Sequence, residues 1–190
     1  MRMRAEMRTV LFGLMAILPL TAQQIKLPAG LEKLGDKASN VVDITLDASM
    51  LQLASRFLSD KDPDEVQAKK LVGKLKSIVV KNFEFDHRGE YEQSDLEELR
   101  AQWRGPGWSR IVGVRSKKDG ENADVYLKSD GNLVTGVAIL VAEPKELTIV
   151  YVDGTMNPDD VRDLQGHFGI PKIDMSKGTI RKDGAKEDER

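Results

Sequence analysis

Residues 108–153, WSRIVGVRSKKDGENADVYLKSDGNLVTGVAILVAEPKELTIVYVD, combine long apolar runs with the clearest turn signals in the chain, and they read as four antiparallel strands in a meander. Residues 110–116 (RIVGVRS) and 122–128 (NADVYLK) are short and rich in β-branched residues, and the Gly-containing loop KKDGE between them has hairpin length. Asp130 and Gly131 mark the next turn, because aspartate starts turns and glycine takes positive φ without strain; residues 133–142 (LVTGVAILVA) follow as the third strand. Pro144 in EPKE suits the second position of a type I turn, and residues 147–153 (LTIVYVD) lead back as the fourth. The run VAILVA, residues 137–142, is apolar on both faces, so that strand is expected to sit centrally or to have a second layer or a partner over its outer face. Val125 and Leu127 alternate with Asp124, Tyr126 and Lys128, the pattern of a half-exposed strand near an edge.

Upstream of the meander, residues 41–46 (VVDITL) alternate as a strand with Val42, Ile44 and Leu46 on one face, and Asp47 ends it and caps the next helix. From Ala48 to Leu58 the residues Met50, Leu53, Ala54, Phe57 and Leu58 recur at three- and four-residue spacing, an apolar stripe expected to lie in the core. Asp60, Asp62 and Asp64 are spaced like the first ligands of a calcium loop, but Glu65 stands where such a loop needs glycine and Leu71 where it needs a bidentate glutamate. Asp62 as N-cap, Pro63 at the first helical position and Glu65 two residues further on account for the segment as a helix start. Residues 77–86 (SIVVKNFEFD) form a second strand with a core-facing aromatic pair, Phe83 and Phe85. Ser94 and Glu97 read as a capping box opening a helix through Trp103, which Gly105-Pro106-Gly107 terminates. That glycine pair follows a helix and opens a strand, the reverse of a dinucleotide-binding loop. After the meander, Asn157 and Pro158 start a last helix carrying Val161, Leu164 and Phe168.

Residues 1–22 have three arginines, then an apolar run, then Pro19 and the small residues Thr21 and Ala22, the three-part pattern of a signal peptide. The expected organisation is therefore a signal peptide over 1–22, a linker over 23–30, one α+β domain over 31–171 and a disordered charged tail over 172–190, poor in core-forming residues. Cleavage after Ala22 takes three of the 29 basic and one of the 31 acidic residues, leaving 26 against 30 and a formal net charge of −4. Nucleic acid is thus not an expected partner, and no later segment has the ~18 consecutive apolar residues of a membrane-spanning helix. The chain has no cysteine, which excludes disulfides, thiolate metal sites, a cysteine nucleophile and a lipid-modified N-terminal cysteine.

No constellation of catalytic type emerges. His87 lies in a polar turn among Asp86, Arg88 and Glu90, and His167 sits in a last helical turn where its charge suits the helix dipole. Two histidines without a His-x-x-x-His or His-carboxylate motif predict no metal site and no cofactor. No serine stands in a G-x-S-x-G elbow. Carboxylates crowd Glu84, Asp86, Glu90, Glu92, Asp95, Glu97 and Glu98, where an acid-base pair would have to be found if one exists. Trp103 and Trp108 flank the Gly105-Pro106-Gly107 turn; with His87 they make the expected interaction surface, provided a ring is exposed.

The segments VVDITLDASMLQLASRFLSDKDPDE, KNFEFD, GWSRIVGVRSKKDGENADVYLK and VAEPKELTIVYVDG resemble the bacterial exported proteins grouped as domain of unknown function 4252. Many members of that family look like lipoproteins, and the missing cysteine departs from them. The resemblance implies an envelope location and a small α+β domain, and brings no activity or functional residues. The fold expected is a mainly antiparallel sheet with a C-terminal four-strand meander and helices packed on one face. The function expected is a non-enzymatic, periplasmic or secreted domain that binds a protein or another envelope component. The alternative is a small-ligand binder or hydrolase using the carboxylates near Glu84 to Glu98, and self-association through an edge of the meander is a third.

Overall fold

A computed structural model describes residues 32–118, 120–163, 172–174 and 179–181. The expected signal peptide and linker, His167, Leu164 and Phe168 lie outside them. A 3-10 turn at Lys33–Asp36 leads into β1 (Asn40–Asp47), followed by α1 (Ala48–Ser55), α2 (Pro63–Val72), β2 (Leu75–Glu84) and α3 (Gln93–Gln102). The meander then runs through β3 (Trp108–Arg115), β4 (Asn122–Asp130), β5 (Leu133–Glu143) and β6 (Glu146–Met156) to α4 (Pro158–Asp163). Six strands form one sheet in the order β1-β2-β6-β5-β4-β3, antiparallel at every step. The β2–β3 connection crosses the sheet to its far edge, and the meander returns strand by strand until β6 pairs with β2.

The fold is α+β with the expected meander, but helices cover both faces of the sheet rather than one. Leu51 of α1 and Leu71 and Val72 of α2 pack with Ile78, Val80, Ile139, Val150 and Val152 on the first face. Leu96 and Leu99 of α3, with Trp103, pack with Phe83, Leu140, Leu147, Ile149 and Tyr151 on the second. The cause is local: β5 and β6 are apolar at successive positions, so each exposes a hydrophobic row on both sides of the sheet and both rows need cover. β4, second from the edge, is more buried than its alternation suggests, because Asp124 and Tyr126 turn inward beneath α3.

Helix starts follow the capping chemistry. Asp62 accepts from the backbone N–H groups of Asp64 and Glu65 with Pro63 at the first helical position, and Asn157 and Asp160 cap each other reciprocally at α4. α3 begins earlier than expected, with Glu92 and Asp95 forming the capping box in place of Ser94 and Glu97. In the expected disordered tail, Lys172–Asp174 and Thr179–Arg181 pair as a short antiparallel ladder that sets Ile173 opposite Ile180, two of the few β-branched residues there.

Candidate interaction surface

β1 and α1 together build an apolar surface at one edge of the sheet. Val42, Ile44 and Leu46 point to the first face, the face on which α1 packs; Leu46 joins the core there, while Val42 and Ile44 stay exposed. Asp47 ends β1 and caps α1 by accepting from the N–H of Met50 at 2.9 Å. Only one line of the helix reaches the sheet, that of Leu51, which is fully buried. The adjacent line, Met50, Leu53 and Phe57, is 50%, 49% and 83% exposed. The stripe read as core is thus largely surface: the residue that seats the helix is Leu51, about 100° round from Met50, and among the described residues nothing covers the outer flank of this eight-residue helix.

The main polar cluster lies at the opposite side, between α3, β3 and β4. Asp124 is wholly buried and accepts from Arg100 Nε at 2.8 Å, from Arg115 Nη2 at 2.9 and 3.0 Å, and from Arg110 Nη1 at 3.2 Å. The β3–β4 register sets Gly113 opposite Asp124. With no side chain at Gly113, the Arg110 guanidinium lies across it; a Cβ there would sit 3.1 Å from Arg110 Cζ. Glu97 accepts from Arg100 Nη1 and Arg104 Nη2, both at 2.7 Å. Burial works against the Arg100 charge, but its bonds to Asp124 and Glu97 outweigh that and raise its pKa. The hydrogen bonds from Arg100 and then Arg104 hold the Glu97 carboxyl below its usual range. Arg100 Nη2 and Trp108 Nε1 are buried without a hydrogen-bond partner among the described residues. The cluster fastens α3 and β3 to β4.

The expected contact residues differ in exposure. Trp103 is buried with its ring tilted against Tyr126 at 5.5 Å. Trp108 is half-buried against Tyr151 and over Gly136, and His87 is exposed in its turn. Among the acids, Glu92 and Asp95 cap α3 and Glu97 is held by two arginines, so no acid-base pair forms from these three. Asp60 of the calcium-like spacing pairs with Lys69 at 2.7 Å, and Glu65 accepts from the Ser59 N–H. Among the described residues no group of three or more His, Asp or Glu is placed to hold a metal, and no helix is long and apolar enough to cross a membrane.

No curated protein and no solved structure matches this chain. A family model does, over residues 35–164, from the 3-10 turn through all six strands of the sheet. The region matched contains the whole six-stranded sheet, and the chain belongs to the family described as Domain of unknown function (DUF4252).

Proposed function

We propose that this is a non-enzymatic domain of the cell envelope that binds a protein through the β1–α1 surface. The observation that carries the reading is the exposure of large apolar side chains on two consecutive elements, Val42 and Ile44 on β1 and Met50, Leu53 and Phe57 on and just after α1: such side chains cost solvation unless a partner covers them. Phe57 alone, 83% exposed, is the kind of aromatic anchor that dominates protein contacts. The exported location rests on residues 1–22, whose charged, apolar and small-residue segments follow signal-peptide order. A hydrolytic use of the carboxylates near Glu84 to Glu98 has less support, because Glu92, Asp95 and Glu97 are already engaged in caps and ion pairs.

A photoreactive group at Phe57 tests the surface, with one at Asp130, the last residue of β4, as control. Saturable cross-linking of one protein at Phe57 and not at Asp130, lost in Leu53→Lys, is the expected result. Equal labelling at both positions, or substrate turnover by the purified protein that one polar substitution abolishes without unfolding it, overturns the reading.

A further inference from the structure

The two edges of the six-stranded sheet are built differently. On β3 the ladder shifts register between Arg110 and Val112, and two long cations, Arg110 and Arg115, stand on the strand; a bulge and charges are the usual means of blocking an edge. β1 has neither a proline nor a bulge. Its ladder with β2 is continuous from Asn40 opposite Glu84 to Asp47 opposite Ser77, and β2 is its one sheet neighbour among the described residues. Its central charge is neutralised from inside the sheet, Lys81 Nζ lying 2.6 Å from Asp43 Oδ2. An eight-residue strand rich in β-branched residues therefore offers a row of backbone donors and acceptors with neither proline nor bulge against pairing, and no further strand or helix covers that edge among the described residues.

We propose that a second copy of this chain covers this edge, β1 pairing antiparallel with β1 of that copy about a twofold axis through Ile44. The inference rests on the β1–α1 surface being a binding surface, and it names the occupant. A twofold axis normal to the sheet keeps each face continuous across the join, so paired residues share a face and their numbers sum to an even value. Four centres are then worth comparing. An axis through Asp43 opposes two carboxylates, and one through Thr45 sets Asp43 against Asp47; like charges directly opposite destabilise a ladder. An axis through Val42 pairs only residues 40–44. Centring on Ile44 pairs residues 41–47, stacks Ile44 on its own copy, sets Val42 against Leu46 on the α1 face, and brings the Thr45 hydroxyl opposite the Asp43 carboxylate twice by symmetry. Val42 and Ile44 are covered in the same step, and the exposed lines of the two α1 helices stand on one face, flanking the axis. About a dozen residues a side take part, against 20–30 in a standard interface, so the dimer should dissociate in the micromolar range.

The test uses the purified full chain. Sedimentation across micromolar concentrations should show the mass rising from one copy toward two, and Ile44→Lys should weaken that association at least tenfold. Because the chain has no cysteine, Ile44→Cys places a single thiol on the axis, where facing Cβ atoms lie within disulfide reach; oxidation should give a covalent dimer much faster than for Leu133→Cys at the start of β5. A mass of one copy at every concentration, with Ile44→Cys cross-linking no faster than Leu133→Cys, overturns the pairing. If the photoreactive group at Phe57 still captures a different protein in that case, the binding surface stands and the second copy alone is ruled out; if it captures nothing, both fall.

Discussion

Arg100 on α3 and Asp124 on β4 meet at 2.8 Å with both side chains withdrawn from water. Their Coulomb attraction is offset by the cost of desolvating both, so the pair is not itself a large net stabiliser, but each charge depends on the other. Asp124→Ala leaves the buried guanidinium with only Glu97, and the expected loss is about 3–5 kcal/mol in urea unfolding. Arg110→Ala, which removes the longest of the contacts and a half-exposed partner, should cost under about 1 kcal/mol. Arg100→Met with Asp124→Leu should recover most of what Asp124→Ala loses. If the double variant is no more stable than Asp124→Ala, the pair is a net stabiliser after all.

Gly154 sits where β6 passes closest to the start of β2. A Cβ there would lie 2.7 Å from the carbonyl oxygen of Lys74 and 2.9 Å from Leu75 Cα, both backbone atoms that cannot turn aside. The β2–β6 ladder slips register at this point, and the N–H of Thr155 donates to the same Lys74 carbonyl. Gly154→Ala should cost ~1–3 kcal/mol, the range for forced overpacking. Gly35→Ala, where nothing lies within 4 Å, is the control and should leave the unfolding midpoint nearly unchanged.

What was legible in the chain divides along the range of the interactions. The meander could be read because each hairpin is specified by residues a few positions apart, Asp130-Gly131 and Pro144 among them. The closure of β6 on β2 could not, since it depends on a pairing such as Val80 with Val150 that no local signal encodes. Two-sided cover was visible in principle in VAILVA and LTIVYV, whose successive apolar residues need a layer on each side. The α1 stripe misled for a different reason: periodicity reports that a helix has an apolar flank, and says nothing about whether anything lies over it. The buried ionic cluster was hidden by Asp124 itself, which sits at an outward-reading position of an alternating strand. The hint was a glycine across the hairpin, Gly113, with Arg110 and Arg115 close by on the same strand.

All three tyrosines are shifted upward. Burial, then the nearby negative charges of Glu143 and Asp153, pushes Tyr91 and Tyr151 up to about 12, and burial chiefly raises Tyr126. A phenol whose folded pKa exceeds its unfolded value of 10.0 holds its proton more tightly in the native state. Its contribution is therefore complete below pH 10 and disappears as pH rises through 12. Melting temperature should fall across that window, and phenolate absorbance should appear together with loss of structure, not ahead of it. Free titration of a tyrosine near pH 10 in protein that remains folded would contradict this.

Leu51 and Phe57 share a segment and should behave as opposites. Leu51 is fully buried against β2 and β6, and Leu51→Ala should cost ~2–5 kcal/mol, the range for truncating a core leucine. Phe57, 83% exposed just past the end of α1, touches little that would be lost, and Phe57→Ser should change stability by no more than ~0.5 kcal/mol in either direction. Leu53→Lys on the same outer line should be equally mild. Unfolding curves for the three variants, set beside the mass and cross-linking of each, separate the two faces of the helix. Stability should respond at Leu51 alone, and association at Leu53 and Phe57. If Phe57→Ser proves as costly to folding as Leu51→Ala, that ring is part of the core and the surface drawn from it does not exist.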